Sequence, residues 1–168
     1  MASLGLLILF PFLMAYAASS DLLTMLIPNW ISLALIVGFG ITAGASGMGW
    51  TEIGLHLGAG ALTLVATFTL FALGIIGGGD AKLTATTAVW VGFGQLADYL
   101  LVASVLGGCL TLGLLAARAQ PLPFGIVRFP FAVHLHDRKT GVPYGIALAA
   151  AGLIVLPWTA LWAQVIGA

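Results

Sequence analysis

Residues Leu83–Ala117 read LTATTAVWVGFGQLADYLLVASVLGGCLTLGLLAA, 35 residues with one charge, Asp98. As a single α-helix this stretch would be about 52 Å long at 1.5 Å rise per residue. The hydrocarbon core of a bilayer is only about 30 Å thick. The stretch therefore predicts two spanning helices joined by a tight turn. Turn-forming residues cluster in Gly92-Phe93-Gly94-Gln95-Leu96-Ala97-Asp98. The number of spans in the whole chain depends on that turn.

The composition makes a bilayer the right reference. The chain has 168 residues, of which 61% are hydrophobic and 6% charged. Soluble domains carry about 25% charged residues. So few charges cannot dress a water-facing surface, and the chain reads as an integral membrane protein. Its formal net charge is zero, so nothing points to nucleic acid as a partner. The single cysteine, Cys109, excludes an internal disulfide and a CxxC metal site. It lies in an apolar run and reads as a small buried hydrophobe. The N-terminal segment MASLGLLILFPFLMAYAASS carries Ala15-Tyr16-Ala17, which looks like a signal-peptide cleavage site. No Lys or Arg precedes its apolar core, so the segment reads instead as a retained first membrane helix.

Six spans follow: Leu4–Ser19, Trp30–Gly47, His56–Gly77, two within Leu83–Ala117, and Tyr144–Ile166. Charge placement agrees with this count. The connections Ser20–Asn29, Gly78–Lys82 and Arg118–Pro143 then fall on one side. They hold every Lys and Arg: Lys82, Arg118, Arg128, Arg138 and Lys139. The other side has Glu52 and Asp98. Cytoplasmic loops carry the Lys/Arg excess, so these connections face the cytoplasm and both termini face outward. Five spans would break the agreement. The expected fold is an all-α integral membrane protein, a single transmembrane domain over residues 1–168. Gly40/Gly44 and Gly54/Gly58 form GxxxG spacings that suit close helix packing. Trp30, Trp50, Trp90, Trp158 and Trp162 fall mostly near expected helix ends, as in an aromatic belt. The Arg118–Pro143 connection is half apolar and is expected to lie along the membrane surface, basic residues toward lipid head groups.

Ionisable residues at a bilayer point to function. Asp21 follows the first helix in SSDLLTMLIPN, and Asp80 follows the third in GGGDAKL. On the topology above both sit at the cytoplasmic boundary, on different helices. Two carboxylates a few Å apart cannot easily both ionise and titrate as a pair. The ionised one can activate a water, and the protonated one can hydrogen-bond a peptide carbonyl and later assist the leaving amine. That chemistry needs no metal and no cofactor. Gly77, Gly78 and Gly79 end the third helix and leave room for a backbone to approach Asp80. Asp80 would sit near the next helix N-terminus, where the helix dipole favours an anion. Lys82 can snorkel to the interface, and Pro28 and Asn29 mark the entry to the second helix. Either aspartate alone reads equally well as an interfacial helix cap.

Gly77-Gly78-Gly79-Asp80 matches the GxGD motif of membrane aspartic proteases. The fuller GGGDAKL resembles the second motif of type IV prepilin peptidases, and Asp21 followed by Ile27-Pro28-Asn29 resembles their first. Gly141-Val142-Pro143-Tyr144-Gly145-Ile146-Ala147 is similar to the start of their last helix. The resemblance spans residues 4–165. It implies a six-helix GxGD bundle in the bacterial inner membrane that cuts the positively charged leader from a prepilin at the cytoplasmic face. Asp21 and Asp80 would be the catalytic pair, the prepilin the partner, and pilus-assembly machinery a neighbour. Larger members carry two CxxC pairs and also N-methylate the pilin. With one cysteine, this chain is expected to lack the zinc site and the methylation, like short members serving Flp-type pili.

Other groups read more plainly. His134, His136 and Asp137 are expected in a solvated loop rather than at a metal, since ligands at i and i+2 converge only on a strand. Asp137 is the better placed for contact with a positive leader. His56 beside Glu52 reads as interfacial, and the Arg118–Lys139 cations as topology determinants. A proton-coupled transporter would want its carboxylates near the midplane. A non-enzymatic assembly subunit would tolerate their loss.

Overall fold

The computed structural model describes residues 2–122, 124–125 and 127–167. Seven α-helices and one 3-10 turn are found there: α1 (Ala2–Thr24), α2 (Asn29–Ala45), α3 (Trp50–Ala72), α4 (Gly78–Arg118), α5 (Pro130–His136), α6 (Tyr144–Val155), the turn Leu156–Trp158, and α7 (Ala160–Gly167). α1, α3 and α4 are long and apolar enough to cross a membrane. α6 and α7, bent by 57°, add a fourth crossing if taken as one broken span. α2 is apolar but shorter. Large apolar side chains such as Ile8, Phe12, Leu33, Val65 and Leu101 point outward. Such a surface fits lipid, where helices satisfy their own backbone groups.

α4 is interrupted at Gly92, whose φ of 65° and ψ of 178° are non-helical. The chain reverses there. Thr111, late in α4, shares a hydrogen bond with Tyr144 at 2.9 Å. Tyr144 adjoins Gly145, whose amide reaches Asp21. Asp80, at the start of α4, lines a cavity with Asp21. Both ends of α4 therefore lie at one end of the bundle. The expected turn between Gly92 and Asp98 reduces to Gly92 itself, and helix resumes at once. The first arm, residues 78–91, is about 21 Å long at 1.5 Å per residue. It is buried on every face from Leu83 to Gly92, which is why its sequence shows no amphipathic stripe.

An aromatic core sits beside the reversal. Trp90 packs on Phe10 with ring centroids 5.0 Å apart and on Phe39 at 6.1 Å. Its Nε1 donates to the Leu35 carbonyl at 2.9 Å. Trp90 is thus a core residue, not part of an aromatic belt; Trp30, Trp50 and Trp158 are the exposed ones. His56 is also buried rather than interfacial. It stacks on Phe39, and its Nδ1 pairs with the Val89 carbonyl at 2.7 Å. A Cβ on Gly92 would come within 2.8 Å of the His56 ring. Gly92→Ala is therefore expected to destabilise the protein. Strain at such a glycine-only conformation is about 1–3 kcal/mol, and ring displacement adds to it. Thermal unfolding in detergent micelles reads this as a lowered Tm.

Several helix ends differ from expectation. α1 runs past Ser19 to Thr24, because Leu22 and Leu23 continue its apolar sequence and Met25 closes it with φ 57°. Asp21 is therefore inside α1, not after it. α3 starts at Trp50, ahead of His56, with Glu52 in its favourable first turn. It stops at Ala72: Gly74, at φ 73°, gives its amide to Phe71 O while Ile75 N reaches back to Leu70 O. This left-handed glycine ends the helix, and the GGG run that follows does not. Of the four GxxxG glycines only Gly58 meets a neighbour among the described residues, the Phe93 ring at an ordinary 3.5 Å. Gly40, Gly44 and Gly54 have open space where a Cβ would be. The closest glycine contacts are at Gly38, Gly60, Gly92, Gly107 and Gly145. Cys109 is exposed on the outer face of the second arm of α4, where lipid would supply its apolar surroundings.

Candidate active site

Asp21 lies in the last turn of α1 and is 5% exposed. Its Oδ2 accepts a 2.7 Å hydrogen bond from the amide of Gly145, the second residue of α6. Amides in the first turn of a helix have no partner within the helix, and the dipole there favours an anion. A Cβ on Gly145 would lie 2.8 Å from Asp21 Oδ2 and 2.9 Å from Ile27 Cδ1. Only glycine allows α6 to approach Asp21 this closely.

Asp80 lies in the first turn of α4, half-buried. Gly77 is the cap residue of that helix, and Asp80 Oδ2 stands 3.0 Å from where a Gly77 Cβ would be. Each aspartate is thus matched to a helix N-terminus, Asp80 to that of α4 and Asp21 to that of α6.

The turn between α1 and α2 joins the two sides. Met25 N bonds to Asp21 O at 2.9 Å, and Ser20 Oγ donates to Leu26 O at 2.8 Å. This folds Ile27 onto α4, where it stands 3.1 Å from where a Gly79 Cβ would be. Phe71 occupies the equivalent space at Gly78, and the Asp80 carboxylate that at Gly77. The glycines therefore admit the protein's own side chains and let the start of α4 close on the turn. Pro28, extended at ψ 139°, precedes α2. Asn29 opens α2, and its Oδ1 accepts from Lys82 Nζ at 2.8 Å. Lys82 is thus held by a neighbouring helix.

All eight sequence-selected residues, Asp21, Pro28, Asn29, Gly77, Gly78, Gly79, Asp80 and Lys82, line one cavity of about 550 Å³. Met25, Leu26 and Ile27 complete it. Two carboxylates on one cavity repel when both are ionised, which favours a shared proton. The ionised one can then draw a proton from a water.

Arg118 has a second role besides any effect on topology. It is buried, and donates from Nε to Leu135 O at 2.7 Å and from Nη2 to Gly141 O at 2.9 Å. It ties the Arg118–Pro143 connection down just before Gly145. His134 and His136 end the short helix α5, not a loop, and Asp137 caps the Lys139 amide at 2.9 Å. None of the three lines the aspartate cavity. Gly145 and Arg118 were not selected from sequence. Gly145 stood in the GVPYGIA segment as a helix start only, and Arg118 as one of several cations.

Long apolar helices with an apolar outer surface are those of a membrane protein, and this one carries two aspartates from different helices on one cavity. The chain belongs to the type IV leader peptidase family, whose profile matches residues 8–112 and so includes both Asp21 and Asp80. It is similar to a protein named prepilin leader peptidase/N-methyltransferase from Aeromonas hydrophila, 31% identical over 145 residues. That match covers 82% of this chain and 44% of the relative. The protein of the same name from Aeromonas salmonicida strain A449 is similar to the same extent, 31% identical with the same coverage. The chain thus spans less than half the length of these relatives. No solved structure matches.

Proposed function

We propose that this chain is a prepilin leader peptidase, an aspartic endopeptidase acting on Flp-like type IV prepilins. The observation that carries the reading is the meeting of Asp21 and Asp80, from α1 and α4, on one cavity in a chain of this family. One carboxylate, ionised, takes a proton from a water that attacks the scissile carbonyl. The other, protonated, hydrogen-bonds that carbonyl and passes its proton to the leaving amine. The Gly145 amide on Asp21 and the first turn of α4 around Asp80 hold the two acids in place. Six crossings in a bacterial inner membrane follow if α2 and each arm of α4 cross. Lys82 on the aspartate cavity, with Arg118 tied to Gly141 in the segment that leads to Gly145, supports a cytoplasmic position for the site.

The test is cleavage of a Flp-type prepilin by the purified chain in detergent, followed by product mass. A new N-terminus just before the apolar helix is expected, at a rate that EDTA does not change. The same spectra read methyl transfer separately. A folded, monodisperse preparation that leaves several such prepilins uncut would sink the proposal.

A further inference from the structure

Lys82 lines a second cavity besides the one that holds the aspartates. α2 and α3 barely touch each other among the described residues, while both pack on α4. This leaves a groove of about 270 Å³, walled by Ser32 and Ile36 of α2 and by Ala61 and Leu64 of α3. Ala85 and Val89 of α4 form its floor. Lys82, Ala85 and Val89 stand at i, i+3 and i+7, so the groove follows one face of α4 for about 10 Å at 1.5 Å per residue. The floor is firm. A Cβ at Gly60 would collide with Val89, so α3 is pressed directly on α4. Ile36 and Leu64 are exposed, so the groove opens sideways toward lipid. Small residues at Ser32, Ala61 and Ala85 suit close approach of another helix.

At the head of the groove Lys82 reaches across to Asn29. Beyond that bridge lies the cavity with Asp21 and Asp80. We propose that the groove seats the apolar helix of the prepilin, so that the peptide bond just before that helix crosses the Lys82–Asn29 bridge into the aspartate cavity. The inference rests on the peptidase reading, in which the scissile bond directly precedes an apolar helix. Continuity of groove and cavity selects this occupant: a helix seated here delivers its own N-terminal end to the carboxylates.

Cross-linking tests it. The background is Cys109→Ser, which removes the exposed native thiol, with Asp80→Asn to keep the substrate whole. Ala61→Cys is paired with prepilins bearing one cysteine in the first two turns of the apolar helix. Leu101→Cys, on an outward face of α4, is the control. Ala61→Cys is expected to give a disulfide adduct that unlabelled prepilin competes away, and Leu101→Cys none. In the otherwise native enzyme, Ala61→Trp should raise KM about tenfold with kcat nearly unchanged, as when uniform binding is removed. Leu101→Trp should alter neither. Equal adducts at both positions, adducts that competitor does not reduce, or an unchanged KM for Ala61→Trp would each overturn the groove, leaving it to lipid chains. A native chain that cuts no prepilin would instead sink the peptidase reading itself.

Discussion

Asp80→Asn and Asp21→Asn are each expected to stop prepilin cleavage. A general acid or base is worth about 100- to 10,000-fold in rate, and here one change removes half of a two-carboxylate unit. The fold should survive both changes. An asparagine at 21 still offers an oxygen to the Gly145 amide, and one at 80 still fits beside Gly77. Loss of activity at unchanged Tm therefore separates chemistry from folding. The double variant should be no slower than either single one, because residues that act as a unit are not additive. Turnover in a quenched time course is the measurement. A single variant that cuts at the native rate would remove that aspartate from the mechanism, and an assembly-only role would gain from it.

The sequence made the reversal in α4 legible because a physical length forced it. No bilayer accommodates Leu83–Ala117 as one helix, and Gly92 lay where the turn had to be. The aspartates were legible through charge: few charged residues occur in the chain, and two fell at corresponding helix ends. What stayed hidden depends on partners far along the chain. His56 pairs with Val89, 33 positions away, and Trp90 with Leu35, 55 positions away. Nothing local to either residue announces a buried acceptor. Arg118 looked like any interfacial cation, since its carbonyl partners belong to the other end of a long connection. The end of α3 was hidden for a different reason. Three consecutive glycines suggested the break, but the left-handed residue is Gly74, and the GGG run serves the close packing of α4 on Ile27 and Phe71.

Gly145→Ala is the second large effect, and it falls on a residue that carries no reactive group. The added methyl carbon would stand 2.8 Å from Asp21 Oδ2 and 2.9 Å from Ile27 Cδ1. Ile27 presents the end of a flexible side chain and can turn away. The Asp21 carboxylate is held by the Gly145 amide itself at 2.7 Å, so it cannot move without losing that bond. Either α6 backs off or the carboxylate rotates out of the cavity. A displacement of about 1 Å at a reacting group can cost about 100-fold. kcat is therefore expected to fall by about that factor, with KM nearly unchanged, since the groove and the Lys82–Asn29 bridge are untouched. Gly141→Ala is the matched control in the same segment. Its methyl would meet only Met25 Cε at an ordinary 3.6 Å, and native kinetics are expected. Steady-state cleavage of one prepilin by both variants decides the matter. Equal kcat for the two would show that the Gly145 amide does not hold Asp21 in its working position.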